Sequence, residues 1–261
     1  HVCRDPKSCL VIYTPAIPST HSELNFFFEG GFETQKRAQV LGTLTRSHKG
    51  LCVAGTHGKT STSTMCAHIM HQSHLNCNAF LGGITKNYGT NYLLDENSDY
   101  VVIEADEFDR SFHHLRPFAT AITSADPDHL DIYGTEAAYL ESFSHYTSLV
   151  QPGGALVIEE SVKIDLKLRE GVTCYTYGRT SGDFHAENLK IGGGRIVFDL
   201  ISPLGNVTDV ELGVPVSINI DPLTCRGNNS LYKNFIVEIE GYQIAFFKIR
   251  ALDSYYYITV V

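Results

Sequence analysis

Apolar positions along the chain fall into short, nearly unbroken runs separated by stretches of helical pattern. LVIYTPAIP (Leu10 to Pro18) is rich in β-branched residues and closed by proline, which predicts a strand followed by a turn. HSELNFFFEGG and ETQKRAQVLGTLTR predict two helices, the first stopped by Gly30 and Gly31. LCVAGT (Leu51 to Thr56) predicts a buried strand, and Lys59 to His71 a helix directly after it. DYVVIEAD, FATAITSA and GGALVIEE predict three more strands, while TEAAYLESFSHYTSLV predicts a helix N-capped by Thr135. Strands that are apolar along their whole length are buried on both faces, as in a parallel sheet covered by helices.

After Val172 the texture changes. CYTYGR, FHAENLKI, GRIVFDLISP and NVTDVELGVPV are short alternating segments parted by glycines and asparagines, which predicts antiparallel hairpins at a sheet edge. Beyond Pro222 the chain is rich in tyrosine and phenylalanine, and IVEIEGYQIAFFKI predicts one hairpin. The expected class is α/β: a mostly parallel sheet flanked by helices, with an antiparallel edge.

Composition narrows the functional classes. With 261 residues, 43% hydrophobic and 19% charged, the chain has the make-up of a globular protein. No apolar run approaches the roughly 18 residues that span a bilayer. The start HVCRDPKSCL also lacks the basic-then-apolar layout of a signal peptide, so a cytoplasmic location is expected. A net charge of -9 argues against nucleic acid and anionic membrane as partners and leaves the oligomeric state open. The seven cysteines are odd in number and form no C-x-x-C pair, which predicts reduced thiols.

The chemistry concentrates at three predicted strand ends. In VAGTHGKTSTSTM (Val53 to Met65), amides of the glycine loop and of the helix start can cradle an anion. Lys59 would extend along β and γ phosphates, and the Thr60 hydroxyl would ligate Mg²⁺. The spacing is not G-x-x-x-x-G-K-[ST], because Val53 stands where the first glycine would be. A turn into an ordinary helix with a surface lysine is the plain alternative, and the buried strand just ahead weighs against it. In IEADEFDRSF (Ile103 to Phe112), Glu104, Asp106 or Glu107 could complete the shell begun by Thr60; a solvated acidic loop is the alternative. In SADPDHLDIYG (Ser124 to Gly134), His129 between Asp128 and Asp131 could ligate a metal or polarise a substrate group. Doubly wound sheets place ligand sites at such strand ends. His68, His71 and His74 have helical spacing but no carboxylate among them, and are weak metal candidates.

AGTHGKT, FLGG, EADEFDRSF and DPDHLDIYGT, in that order, closely resemble the central ATPase domain of the Mur ligases, bacterial enzymes that add amino acids to the peptide of the cell-wall precursor. The likeness runs from about Val11 to about Asn219. It implies ATP-dependent amide formation: a carboxylate attacks the γ-phosphate, and an amine then displaces phosphate from the acyl phosphate. EADE-x-D with HGKT is most like the member that joins L-alanine to UDP-N-acetylmuramate, which implies those two small molecules as substrates with ATP and Mg²⁺. By the same resemblance Gly55, Thr56, His57, Gly58, Lys59, Thr60 and Ser61 would bind the ATP phosphates, with Asn219 near the adenine. Lys59 would stabilise charge on the transferring group, Thr60 and Glu104 would hold one Mg²⁺, and His129 would help to hold a second. Those carried-over roles make Lys59, Glu104 and His129 the expected catalytic residues. A ligase that recycles murein tripeptide, another phosphate-loop kinase or NTPase, and a non-catalytic ATP-binding fragment are the alternatives.

The same resemblance predicts three stretches. Residues 1–47 would be part of a Rossmann-like UDP-sugar-binding domain, and 48–221 the ATP-binding domain. Residues 222–261 form a tail without a family counterpart, and the domain for the incoming amino acid is missing, as in a chain truncated at both ends.

Overall fold

The computed structural model describes residues 5–192, 195–213, 232–239, 242–249 and 257–258. The chain opens with β1 (Leu10–Tyr13), α1 (Ser22–Glu29) and β2 (Glu33–Lys36); the two strands pair in parallel as a two-stranded sheet. α2 (Arg37–Ser47) follows without a gap. ETQK therefore is not the first turn of a helix. Lys36 stays extended at φ -65°, ψ 143°, and its amide donates to the Gln39 side chain at 2.7 Å, which starts the helix at Arg37. Only from Leu41 onward does this segment bury side chains, so the polar run ahead of it was free to pair with β1.

A seven-stranded sheet forms the centre. Its strands are β3 (Lys49–Ala54), β4 (Asn78–Phe80), β5 (Tyr92–Leu93), β6 (Tyr100–Glu104), β7 (Pro117–Ile122), β8 (Ala155–Glu159) and β9 (Thr173–Tyr177), in the spatial order β5-β4-β6-β3-β7-β8-β9. All neighbours are parallel except the edge pair β4 and β5. Between them run α3 (Lys59–Gln72), α4 (Leu130–Tyr133) and α5 (Glu136–Thr147). Thr135 caps α5, its side chain accepting from the Ala138 amide at 3.1 Å. Successive residues of β3 feed opposite faces: Leu51 and Val53 pack with Met65, Ile69 and Met70 of α3, while Cys52 and Ala54 pack with Tyr139, Phe143 and Tyr146 of α5. A strand buried on both faces has no polar position to give, which explains the unbroken apolar run.

β10 (His185–Gly192), β11 (Arg195–Ile201) and β12 (Val207–Gly213) form a separate antiparallel sheet with a short strand, Tyr257–Ile258. Ile196, Phe198 and Leu200 of β11 are buried in the same core as α3. The segment TCYTY belongs elsewhere: it is β9, a parallel edge strand of the central sheet, because its residues pair in register with β8 from Ala155↔Thr173 to Glu159↔Tyr177. Strands Tyr232–Ile239 and Tyr242–Ile249 pair antiparallel as the expected hairpin. Cys52, Cys66, Cys77 and Cys174 are free thiols, but Cys9 is disulfide-bonded, which corrects the expectation of a wholly reduced set. The C-x-x-C criterion has no view of a pairing between more distant cysteines. Among the described residues, no helix is long and apolar enough to cross a membrane.

Candidate nucleotide site

Because β6 and β7 flank β3, the loops leaving these three strands lie side by side at one end of the sheet. The first is Gly55 to Gly58. Gly55 has φ +139°, and a Cβ there would lie 2.2 Å from Thr123 Oγ1, so no other residue fits this turn. Gly58 is left-handed at φ 84° and N-caps α3, turning the amides of the helix start toward the loop.

The loop is held from β7. Thr123 Oγ1 donates to the His57 carbonyl at 2.6 Å, and Ser124 Oγ accepts from the His57 amide at 2.8 Å. The Thr56 amide donates to the Ser124 carbonyl at 3.3 Å. Thr56 Oγ1 donates to the Asp126 carbonyl at 2.7 Å and lies 2.7 Å from the Tyr139 hydroxyl. Lys59 folds back over the loop: its ammonium donates to the Gly55 carbonyl at 2.8 Å and to Glu107 Oε1 at 2.9 Å, and it lies 2.7 Å from Glu107 Oε2.

The second loop leaves β6. Glu104 accepts from Thr60 Oγ1 at 3.1 Å through Oε1, and from the Gly82 amide at 3.0 Å through Oε2. Gly82 belongs to FLGG, and its missing side chain leaves the space Glu104 fills, since a Cβ there would lie 2.4 Å from Oε2. Glu107 is only 1% exposed, and burial pushes its carboxyl above the usual range against the opposing pull of Lys59. Asp109 and Arg110 follow in left-handed conformation at φ 51° and 53°. Lys36 Nζ donates to Asp109 Oδ2 at 2.8 Å, and the Arg110 guanidinium sits 4.6 Å from the centre of the Tyr133 ring. Both contacts hold a backbone that side chains rarely adopt.

The third loop carries His129, itself left-handed at φ 52°. Its amide donates to Asp128 Oδ1 at 2.7 Å and its ring stands edge-on to Phe108 at 5.2 Å. These contacts set His129 against Asp128 and Phe108 rather than against Thr60 or Glu104. Of the expected residues, then, the structure joins Lys59, Thr60 and Glu104 to the glycine loop and brings the His129 loop alongside through Thr56 and Asp126. Asn219 lies outside the described residues. Four contributors went unforeseen: Thr123 and Ser124 as braces, Tyr139 as a partner of Thr56, and Gly82 as a donor to Glu104. Thr123 and Ser124 directly follow a buried strand that flanks β3, the one hint the sequence offered for them.

Between the N-terminal strands and the acidic loop lies a cavity of about 270 Å³, lined among others by Thr14, Arg37, Glu104, Asp106, Phe108 and Ser111. Among the described residues no cluster of three or more His, Cys, Asp or Glu could hold a metal on its own. One carboxylate beside one hydroxyl suits Mg²⁺, which keeps several waters and takes its other ligands from phosphates.

Residues 53–221 match the Mur ligase middle domain. The chain is 65% identical over 218 residues to a UDP-N-acetylmuramate–L-alanine ligase of Phocaeicola vulgatus, covering 84% of this chain and 48% of that protein. A protein of the same name from Parabacteroides distasonis is 57% identical over 219 residues, covering 84% of this chain and 47% of its own length. The crystal structure of UDP-N-acetylmuramate–alanine ligase from Thermotoga maritima superposes with a TM-score of 0.66 at 24% identity, over 84% of this chain and 51% of that one. The chain spans about half the length of the curated relatives it matches. With the strand-end loops arranged as described and the match covering most of its length, the chain belongs to the Mur ligase family.

Proposed function

We propose that the chain binds ATP with Mg²⁺ on the Gly55–Ser61 loop and provides the phosphoryl-transfer half of a ligase that joins L-alanine to the carboxylate of UDP-N-acetylmuramate. The observation that carries this reading is the contact of Thr60 with Glu104 at 3.1 Å, directly beside Lys59 and the start of α3. A hydroxyl and a carboxylate in contact at a helix N-terminus, with the Lys59 ammonium held over the adjoining loop, suit a metal–triphosphate. The names of the relatives favour the alanine-adding reaction over tripeptide recycling.

In this reading residues 48–221 are the ATP-binding domain, and 1–47 contribute to the binding of the UDP-sugar. Within the Gly55–Ser61 loop the amides not already given to Ser124, which takes those of Thr56 and His57, hold phosphate oxygens, and Lys59 offsets the charge that builds on the transferring group. Thr60 and Glu104 would hold Mg²⁺, which when bound draws electron density from the γ-phosphate. Asn219 would lie near the adenine. His129, on the loop after β7, would help to hold a second cation where the acyl phosphate forms. The acceptor carboxylate approaches through the cavity beside Glu104, with Arg37 as the cation that offsets the acidic wall. In this reading the reaction is cytoplasmic, because its nucleotide substrates are made there.

The test is phosphate release from ATP by the chain, with UDP-N-acetylmuramate and L-alanine added separately and together, beside a titration of nucleotide binding. Release that needs both substrates supports the ligase; binding without release restricts this chain to nucleotide binding. Lys59→Ala should abolish ATP binding or turnover, and Glu104→Ala should shift the Mg²⁺ titration. Unchanged values in both variants would remove the assignment.

A further inference from the structure

We propose that Glu107 is a positioning residue for phosphoryl transfer, holding the Lys59 ammonium over the glycine loop and tying that hold to the loop that carries His129. This rests on the nucleotide reading above and goes beyond it, because Glu107 is given no contact with nucleotide or metal there. A carboxylate at a strand end belongs in water. Glu107 is instead 1% exposed, and a buried charge persists only when it is paired. Its partner is Lys59, whose ammonium meets both carboxylate oxygens, at 2.9 and 2.7 Å.

An ammonium has three N–H groups. One goes to the Gly55 carbonyl at 2.8 Å and one to Glu107, which leaves one for a phosphate oxygen. A lysine that swung wholly onto the nucleotide would strand a buried carboxylate, so the favourable arrangement keeps Lys59 bridging Gly55, Glu107 and phosphate at once. Glu107 is itself fixed from the third loop. The Tyr133 hydroxyl donates to the Glu107 carbonyl at 2.5 Å, and the Tyr133 ring lies beneath the Arg110 guanidinium. Tyr133 ends the short helix that His129 begins, so one residue connects all three strand-end loops, through its carboxylate to Lys59 and through its main-chain carbonyl to Tyr133.

The experiment compares binding of ATP and of AMP, which lacks the β and γ phosphates, to the chain in Mg²⁺. The variants are Glu107→Gln, Lys59→Met and the double substitution. Glu107→Gln should weaken ATP about tenfold, the worth of one charge-assisted hydrogen bond, and leave AMP unchanged. In the Lys59→Met background the same substitution should have no further effect on ATP. Tyr133→Phe, which keeps the ring and removes only the hydrogen bond, should give a smaller loss of the same kind, again absent without Lys59. Equal weakening of ATP and AMP, an effect of Glu107→Gln that persists without Lys59, or wild-type ATP affinity in Glu107→Gln would each overturn the proposal. Wild-type ATP affinity in Lys59→Met would instead overturn the phosphate-loop reading on which it rests.

Discussion

Replacing Lys59 by methionine tests the Lys59–Glu107 pair through stability, without any ligand. The Lys59 side chain is 14% exposed and that of Glu107 2%, so the pair sits near the buried extreme. Methionine keeps most of the aliphatic stem, and the packing loss is small. What goes is the bond to Gly55 and both contacts with Glu107, leaving a carboxylate without a cation. Removing one partner of a buried pair costs about 3 kcal/mol or somewhat more, which in a protein of this size lowers the melting midpoint by roughly 6–12 °C. The cost also has a pH signature. Burial already raises the Glu107 pKa above its ordinary 4.5, and Lys59 supplies the main opposing pull. Without Lys59 the folded-state pKa rises further. A carboxyl whose folded pKa is raised contributes fully below its unfolded value and loses that contribution as pH rises through the folded value. Thermal unfolding of Lys59→Met should therefore show a deficit that grows from pH 4.5 upward, and Lys59→Met/Glu107→Gln should recover most of it at pH 7. A double variant as unstable as the single one would refute this account of the pair.

Other sites give sharper single tests. Gly55→Ala forces a side chain at φ +139° into Thr123 and should cost about 3 kcal/mol from strain and overpacking together, read by denaturant unfolding. Gly82→Ala should leave the fold standing and raise the Mg²⁺ concentration needed for ATP binding, because its methyl group displaces Glu104 from Thr60. His113 stacks on Phe112 and its Nε2 bonds to the Ser142 carbonyl at 3.0 Å, and burial drops its pKa from 6.5 to about 4. A histidine with a depressed folded pKa adds stability above pH 6.5 that is lost as pH falls toward 4. His113→Phe should flatten the stability profile across that window, measured by thermal melts at stepped pH.

The sequence was most readable where residues were buried on both sides. β3, β6, β7 and β8 read as apolar runs whose polar residues fall at their ends, apart from Thr120, which is buried and donates to the Cys52 carbonyl; their spatial order is set by tertiary packing and was not legible. The glycine loop was legible for a related reason: only glycine tolerates φ +139° against Thr123, so the backbone left its mark in composition. ETQK misled because a polar run with no buried face carries no period, and its pairing with β1 is set by tertiary contact. TCYTY alternates in polarity like a hairpin strand, yet its exposure falls along its length from Thr173 to a buried Tyr177, as the last strand of the central sheet. Within the site, Thr60 and Glu104 were expected together on chemical grounds. The pairing of Glu107 with Lys59 was not, since EADE sets three carboxylates within four residues and only the fold buries Glu107.

The braces from Thr123 and Ser124 bear on how fast a ligand can settle. Ordering a residue's backbone costs about 1–2 kcal/mol, so four loop residues left loose would tax every encounter by several. Here the shape is set when β7 docks beside β3, long before any visitor arrives. Association should then proceed without a slow rearrangement phase, its rate rising in proportion to ligand concentration and its backbone amide exchange in the loop already slow in the empty protein.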